Sequence, residues 1–413
     1  MPWGNKALPE FGVLSGVKVV HCTQTTAGPF AAEILADYGA DVIWIENIKA
    51  PDMIRLGHSY ASEVERKNQR AISLNIPSPQ GRQIFLKLLE DADIFIENSK
   101  GGQYAKWGLS DEVLWETNPR LIIAHISGFG QSGVPEYVSR ASYDQIAQAF
   151  SGYMYMNSNP ETAPYAAGPL AADFFTALYT AVSVLAALNK VKQTGKGESI
   201  DIAQFELMMR VQQRAPDGFN GNDKNLVFAG YPSPVAGIGS YKCRDGRYVS
   251  CNLGGAGVFR RCCEFLGLEY GGPDIPEGTQ QGRIGTPAGD LYQSALLKYF
   301  SERTADEAQK EMLGARLPIS KINTFADLID DPHVKARGVF SEFENFKGKK
   351  LRCVGPVPKF KNYPGKVWRA APGYGMDNEE VLSELGYTPE DISALYDEGI
   401  IRKDAELKYT YPY

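Results

Sequence analysis

The segment VKVVHCTQTTAGPFAAEILADYGADVIWIEN, residues 17–47, decides the fold. Its apolar run VKVVHCT (17–23) predicts a buried strand. AAEILADYGA (31–40) then predicts a helix that ends at a glycine, and DVIWIEN (41–47) predicts a second strand. Because a helix that links two neighbouring strands returns the chain to the same end of the sheet, the two strands are expected to run parallel.

The same alternation continues beyond this segment. Strands are predicted at ADIFIEN (92–98), LIIAHISG (121–128) and GESIDIAQ (197–204). Helices are predicted at PQGRQIFLKLLEDA (79–92), DEVLWETN (111–118), 142–152 and 171–195. The pattern therefore predicts an α/β fold, a Rossmann-like parallel sheet with helices on both faces.

A change of composition at about residue 215 indicates a second domain. The segment 216–239 is rich in glycine, proline and asparagine, which predicts a long crossing segment. GSYKCRDGRYVSCN (239–252) follows and predicts a hairpin that turns at Asp245-Gly246.

We therefore predict a large Rossmann-like domain over 1–224, a small α+β domain over 225–325, and a C-terminal segment, 326–413, that returns to the large domain. Two helices are predicted near the C-terminus. One begins at Asp377, with Glu380 completing a capping box, and the other begins at Thr388.

Composition excludes several classes of protein. With 413 residues and 43% hydrophobic residues the chain has material for a large core, and a net charge of −6 argues against a nucleic-acid-binding face. The amino end lacks a secretory pattern and the most apolar stretch, 174–188, is short for a membrane span, so a cytoplasmic protein without a membrane segment is expected. The six cysteines form no CxxC pair and the four histidines are isolated, so reduced thiols and no metal site are expected.

Two loops after predicted strands could bind an anionic ligand. The turn TTAGPF (25–30) has the single glycine Gly28 where an NAD site would have GxGxxG, which argues against an oxidoreductase. Its helix start still suits a nucleotide-bearing ligand, although a plain turn has the same pattern. In ENSKGGQYAKWG (97–108), Lys100 and Lys106 could pair with phosphates or could belong to a solvated basic loop.

The most informative residue is Asp173, which precedes fifteen residues without a charge. A carboxylate at the start of a buried helix is most often an N-cap. A carboxylate that stays ionised and can be reached from a cleft is also what a covalent carboxylate nucleophile requires. A third loop, NLGGAGVF from residue 252, contains Gly254 and Gly255 and suits either a mobile lid or a tight connection.

The order of these motifs resembles family III CoA-transferases, the CaiB–BaiF family. The matching strings extend over nearly the whole chain: AGPFAAEILADYGADVIWIE, RKNQRAISLNI (66–76), DIFIENSKGGQY, ISGFGQSG, YDQIAQAFSGY (143–153), AADFF, TGKGESIDIA and PKFKNYPGKVWRAAPGYGMDN. The resemblance implies an acyl-CoA-metabolising enzyme with coenzyme A as co-substrate and no metal, acting as an interlocked homodimer.

The resemblance also implies roles for individual residues. Asp173 is the nucleophile that forms a mixed anhydride and then an aspartyl-CoA thioester, and Gly254 and Gly255 are candidates for a lid that donates N–H groups to an oxyanion. The implied CoA contacts are Thr25, Thr26, Ala27, Leu74, Asn75, Asn98, Lys100 and Lys106. Trp107 stands where carnitine enzymes of the family have a second arginine.

The resemblance implies that the substrates are carboxylic acids and their CoA esters, and two classes of acid are candidates. The leading expectation is carnitine, γ-butyrobetaine or crotonobetaine, whose quaternary ammonium would suit an aromatic cage. The alternative is bile acids, because SKGGQY, GLSDEV, YVSRASYD and DPHVKARG resemble the bile-acid enzymes. The substrate-pocket candidates for either class are Tyr143, Tyr153, Tyr155 and Tyr165.

Two other functions fit less well. The related α-methylacyl-CoA racemases use a histidine where this chain has Tyr143, and a tyrosine is a poor base at neutral pH. The second is a protein that binds acyl-CoA without catalysis, and the intact Asp173 argues against it.

Overall fold

A computed structural model describes residues 9–56, 60–157, 163–213, 215–221 and 233–403. The strands are β1 (Lys18–Cys22), β2 (Asp41–Asn47), β3 (Arg70–Leu74), β4 (Ile94–Glu97), β5 (Ile122–Ser127), β6 (Glu198–Ala203), β7 (Ile238–Lys242), β8 (Tyr248–Asn252), β9 (Ile319–Lys321), β10 (Phe340–Glu344) and β11 (Lys350–Val354). The helices as far as the long central one are α1 (Ala27–Asp37), α2 (Ala61–Val64), α3 (Pro79–Leu89), α4 (Gln103–Lys106), α5 (Asp111–Thr117), α6 (Pro135–Val138), α7 (Asp144–Phe150), α8 (Tyr153–Met156) and α9 (Ala171–Thr194). The later helices are α10 (Gln204–Arg210), α11 (Ala215–Phe219), α12 (Ala256–Phe265), α13 (Pro287–Ser301), α14 (Ala305–Gly314), α15 (Phe325–Asp330), α16 (Pro332–Ala336), α17 (Asn378–Glu384) and α18 (Pro389–Asp397).

A six-stranded sheet in the order β3-β2-β1-β4-β5-β6 positions the site. All five strand pairs are parallel, and this confirms the predicted parallel sheet. The strand β3 was not predicted. Separate apolar layers pack on the two faces, one with Phe85 and Phe95 and the other with Leu35 and Val184.

The C-terminal residues complete the core around β3. Val381 and Ile401 lie in the same apolar layer as Phe85, and the Asn75 N–H donates to the Ile400 carbonyl at 2.8 Å. The capping box predicted at Asp377 is wrong. Asp377 occupies the N-cap position of α17 without a side-chain cap bond. Its carboxylate instead accepts from the Ala71 N–H.

The chain divides into two compact units. The first contains residues 1–155, 165–226 and 338–413, and the second contains 156–164 and 227–337. The predicted boundary between residues 224 and 225 falls outside the described residues. The second unit has the antiparallel sheet β7-β8-β9 and includes the hairpin predicted at Asp245-Gly246.

The long helix α9 packs against α1 and the parallel sheet. By length and composition it could cross a membrane, but 44% of its most apolar stretch is buried inside the protein, as in the core helix of a globular unit. On the opposite face Leu178, Tyr179 and Val182 are exposed by 49%, 36% and 65%. This face is therefore apolar and uncovered in the single chain.

Candidate active site

Two adjoining cavities lie at the edge of the sheet where β1, β4 and β5 end. The first has a volume of about 310 Å³ and the second about 230 Å³, and both are lined by Gln24 and Ser99. Of the predicted site residues, the first cavity is lined by Thr25, Ala27, Asn98, Lys100, Tyr143 and Asp173. The second is lined by Leu74 and also by Trp107. Ligands bind at this edge in open α/β sheets, and the two cavities together form an extended groove.

Asp173 lies in the first turn of α9, and its side chain faces the first cavity. The N-cap position of this helix is occupied by Leu170, which has a left-handed φ of 49°. The Gln204 side-chain amide donates to Asp173 Oδ1 at 2.8 Å. Burial raises the pKa of Asp173 to about 6, the Gln204 hydrogen bond opposes this rise, and the charge of Asp144 adds to it.

Asp144, on α7, satisfies the start of α9 in place of Asp173. Its Oδ1 accepts the N–H groups of Ala172 at 2.7 Å and Asp173 at 3.3 Å. Gln148 donates to the other oxygen of Asp144 at 2.8 Å. Because a carboxylate from another helix takes the capping bonds, the Asp173 carboxylate is left to face the cavity.

The first βα turn is held by a buried ion pair. Thr25 has a φ of 65°, an uncommon conformation for a β-branched residue. Its N–H donates to the Asp52 carboxylate at 3.1 Å, and its carbonyl accepts from Arg66 Nη2 at 2.5 Å. Arg66 and Asp52 are themselves paired at 2.6 Å and are almost fully buried. A Cβ on Gly28 would lie 2.5 Å from the Thr23 Cβ, so this glycine allows helix and strand to approach closely.

The loop after β4 is fixed by a charged cluster below it. His125 bridges Glu97 Oε1 at 2.7 Å and Asp111 Oδ1 at 2.9 Å. Although burial lowers the pKa of His125, the hydrogen bonds to Asp111 and Glu97 outweigh it and raise the pKa to about 9. The other Glu97 oxygen accepts the Ser99 N–H at 2.6 Å. A protonated histidine thus anchors the loop that presents Asn98 and Lys100 to the first cavity.

The family model of CoA-transferase family III matches residues 14–378. The chain is a family III CoA-transferase. It is 42% identical to the bile acid CoA-transferase BaiK of Clostridium scindens over 401 residues, which is 96% of this chain and 91% of BaiK.

Solved structures support the same family. A CAIB/BAIF family protein from Brucella suis matches with a TM-score of 0.75 and 28% identity, over 91% of this chain and all of that one. Rv3272 from Mycobacterium tuberculosis matches in fold, with a TM-score of 0.74 and 21% identity over 90% of this chain and 99% of that one. The mixed α/β architecture is therefore that of the CaiB–BaiF proteins.

Other predicted residues of this CoA-transferase are not among the lining residues of the two cavities. Thr26 is the buried N-cap residue of α1, and Lys106 lies in the last turn of α4. Asn75 donates and accepts backbone hydrogen bonds beside β3. Tyr153, Tyr155 and Tyr165 are absent from the described lining of the first cavity, so Tyr143 is the one candidate tyrosine that lines it.

The predicted glycine lid of the CoA-transferase belongs to the second unit. Gly255 has a φ of 90° and is the N-cap residue of α12. Its N–H donates to the Gln280 carbonyl at 2.9 Å. Gly254 lies between β8 and this helix, where a Cβ would meet the Ile238 side chain at 3.2 Å. The roles of both glycines as lid or oxyanion donors stay predictions.

Sequence reasoning missed the residues that support Asp173 and Thr25. Asp144 and Gln204 are 29 and 31 positions from Asp173, and Arg66 is 41 positions from Thr25. Asp144 stands at the start of its own predicted helix, so the sequence indicates an ordinary acidic residue in the first turn of that helix. No local pattern indicates that its carboxylate reaches a different helix. Among the described residues, no three His, Cys, Asp or Glu side chains are arranged to hold a metal ion.

Proposed function

We propose that this enzyme moves CoA from an acyl-CoA donor to a free carboxylic acid through covalent intermediates on Asp173. The observation that supports this is the position of the Asp173 carboxylate, which lines one cavity with Thr25, Asn98 and Lys100. Ala27 lines it as well, so four of the expected CoA contacts and the expected nucleophile face the same space. A pKa of about 6 leaves most of this carboxylate ionised at neutral pH.

In the first half-reaction the Asp173 carboxylate attacks the thioester carbonyl of the donor. The C–S bond breaks, CoA leaves as a thiolate, and an acyl-aspartyl anhydride forms. The thiolate then attacks the aspartyl carbonyl of the anhydride. The donor acid leaves as a free carboxylate, and Asp173 becomes an aspartyl-CoA thioester.

In the second half-reaction the acceptor carboxylate attacks the aspartyl thioester. CoA thiolate leaves again, a second anhydride forms, and the thiolate attacks its acceptor carbonyl. The products are the acceptor acyl-CoA and the regenerated Asp173 carboxylate. No proton is consumed and one thioester is exchanged for another, so the step needs neither ATP nor a metal ion.

The contacts around Asp173 fit the demands of this chemistry. Gln204 holds Oδ1, which leaves Oδ2 to attack. Removal of the carboxylate from water raises its pKa and makes it a stronger nucleophile than an exposed aspartate. Each tetrahedral step develops an oxyanion, and donors aligned on that oxygen are expected to make the largest contribution to rate.

The second cavity is our proposed path for the remainder of CoA. Leu74 and Trp107 line it with the buried Tyr104, which suits an adenine ring. Lys100, which lines the first cavity, and Lys106, in the last turn of α4, are our candidates to pair with CoA phosphates. Because a lysine offers a point charge, we expect these pairs to tolerate small shifts of the phosphates.

We propose bile acids as the substrate class. BaiK, a bile acid CoA-transferase, is similar to this chain over nearly its whole length, and this favours the class that was the alternative on sequence. Carnitine-type acids, the leading expectation on sequence, become the second candidate. Of the four tyrosines predicted as substrate-pocket candidates, Tyr143 is the one in the described lining of the Asp173 cavity.

We further propose an interlocked homodimer and a cytoplasmic location. The apolar face of α9 formed by Leu178, Tyr179 and Val182 supports a dimer, because a subunit interface would remove it from water. The segment 216–239 is the proposed crossing, and residues 222–232 of it lie outside the described chain.

Trapping of the covalent intermediate tests the proposal. Purified enzyme is mixed with deoxycholyl-CoA or, separately, with crotonobetainyl-CoA, and is quenched with hydroxylamine or borohydride. Mass spectrometry of the peptide that contains Asp173 is expected to show a hydroxamate or a reduced side chain with the bile-acid ester. An adduct with the carnitine-type ester alone would reverse our choice of substrate class.

Two variants control this experiment. Asp173→Asn should bind CoA and give no adduct, whereas Asp274→Asn, on an exposed loop of the second unit, should behave as the wild type. A wild-type enzyme that binds CoA and yields no adduct with either ester would remove Asp173 as the nucleophile.

A further inference from the structure

Arg140 is a cation of the first cavity to which the mechanism above gives no role. It lines the same cavity as Asp173 and Lys100. Its guanidinium lies 4.9 Å from the centre of the Phe129 ring and 5.0 Å from that of the Tyr137 ring. Within the described part of the chain it makes no ion pair and no side-chain hydrogen bond. A planar cation packed on aromatic faces keeps its N–H edge free for a ligand.

The reaction brings an additional negative charge into this cavity. A free carboxylate must enter beside Asp144 and Asp173, and both of these are buried acids. Like charges in a partly desolvated space repel strongly, and a carboxylate that loses water needs a compensating donor. The same need arises when the donor acid is released from the anhydride. CoA brings further anions, and Lys100 is already our candidate for its phosphates.

The loop that carries Arg140 is joined to the supports of Asp173. Asp144, four residues later, caps the helix of the nucleophile at 2.7 Å and 3.3 Å. Ser142 lies 3.5 Å from Gln204 Oε1, and Gln204 holds Asp173 Oδ1. The segment 140–144 therefore carries the cation Arg140 and also supports the nucleophile Asp173, so the positions of the two are linked.

We infer that Arg140 binds the carboxylate of the free acid substrate and orients it toward the aspartyl thioester. This inference rests on the proposed CoA-transferase reaction and adds the residue that recognises its acid. A guanidinium offers two parallel N–H groups to a carboxylate, so it fixes the direction of the attacking oxygen as well as its charge. The carboxylate is common to bile acids and carnitine-type acids, so the assignment holds for both classes.

The test compares Arg140→Leu and Arg140→Lys with wild type. Cholate with deoxycholyl-CoA and γ-butyrobetaine with crotonobetainyl-CoA serve as acid and donor. For Arg140→Leu we expect the KM of the acid to rise by about 10- to 100-fold, the loss typical of one charge-assisted pair. Arg140→Lys should recover part of the lost affinity for the acid, with a KM between those of Arg140→Leu and wild type. The first Asp173 adduct from acyl-CoA alone, the anhydride, and the Kd of CoA should stay as in wild type, because both precede the binding or release of any free acid.

Each contrary outcome has a separate meaning. An acid KM that is unchanged in Arg140→Leu overturns the inference, and so does a weaker CoA affinity with an unchanged acid KM. Failure of the proposed function itself is seen in wild type, as absence of any Asp173 adduct. Calorimetric titration of cholate into wild type and Arg140→Leu then still tests whether Arg140 binds the acid. Arg120→Leu, an exposed arginine outside the cavity, controls for loss of a positive charge.

Discussion

Asp173 and Asp144 divide two duties that one aspartate could not perform together. A carboxylate that caps a helix spends its lone pairs on backbone N–H groups and has a lowered pKa. Here Asp144 accepts the N–H groups of Ala172 and Asp173, while Asp173 itself is bound by Gln204. The sequence left both duties open for Asp173, since each predicts an aspartate at the start of a buried helix.

The raised pKa of Asp173 predicts a pH dependence. The ionised carboxylate is the nucleophile, so the rate of adduct formation should fall about tenfold per pH unit below the pKa of about 6 and level off above it. Saturating acyl-CoA removes effects of pH on binding. Rapid quench between pH 4.5 and 8 is the measurement.

A variant identifies the titrating group. Since the charge of Asp144 contributes to the raised pKa of Asp173, Asp144→Asn should move the fall in rate to lower pH. A midpoint near pH 4 in wild type would mean that the carboxylate is well solvated and would contradict the proposed environment.

At the scale of an element, the turn before α1 is held by its surroundings more than by its own sequence. Thr25 adopts its left-handed conformation because Asp52 and Arg66 take up its N–H and its carbonyl. The indole of Trp44 lies beneath, with the Arg66 guanidinium 5.1 Å from the ring centre. The motif TTAGPF predicted a ligand-binding turn, and the ion pair that shapes it comes from a distant part of the chain.

Arg66→Met tests this arrangement. It leaves the Asp52 carboxylate buried without its cation, so the free energy of unfolding should fall by about 3–5 kcal/mol. The Kd of CoA should rise, because Thr25 loses the donor to its carbonyl. Denaturant unfolding and calorimetric titration of CoA measure the two effects.

The double variant Arg66→Met with Asp52→Leu separates fold from site. It removes the unpaired charge and should recover part of the stability. CoA affinity should stay weak, since neither partner of the turn remains. If Arg66→Met binds CoA as wild type does once corrected for its folded fraction, the ion pair supports the fold alone.

The strand β3 shows why one element of the sheet escaped prediction. RAISL begins with Arg70, and this charge interrupts the apolar run that predicts a buried strand. In the structure Arg70 pairs with Asp41 at 2.8 Å and with Glu384 at 2.8 Å. The partners come from β2 and α17, so only the tertiary structure makes this arginine compatible with a fully buried strand.

The helix caps also show which features can be predicted from local sequence and which cannot. The N-cap at Thr388 was predicted with a proline at the next position, and the structure has both; it adds a capping box in which Asp391 is the reciprocal partner. This motif is local, so sequence suffices. At Asp377 the same kind of pattern failed because Ala71 and Arg369 compete for the carboxylate.

For the whole molecule, the interlocked homodimer predicts an unusual resistance to exchange. Light scattering should give twice the chain mass of 45.4 kDa, and the mass should not fall on dilution to nanomolar concentration. Chains threaded through each other can separate only after unfolding. Tagged and untagged enzyme mixed in native buffer should therefore form no hybrid, whereas mixing in denaturant before refolding should form it.

Two results would contradict this prediction in different ways. A mass of one chain would remove the dimer and would leave the apolar face of α9 to another partner. A dimer that forms hybrids within minutes in native buffer would keep the dimer and remove the interlock.

The apolar layer shared by the first strands and the last helices has a consequence for biosynthesis. Phe85 and Phe95 leave the ribosome early, but Val381 and Ile401, which cover the same layer, emerge roughly 270 residues after the end of β5. At about 5 to 20 residues per second, the nascent sheet waits roughly 15 to 55 s with that face uncovered. We therefore expect chaperones that bind nascent chains to bind the first half of this enzyme during synthesis. Release of the chain before α17 is made should yield a product that is prone to aggregate.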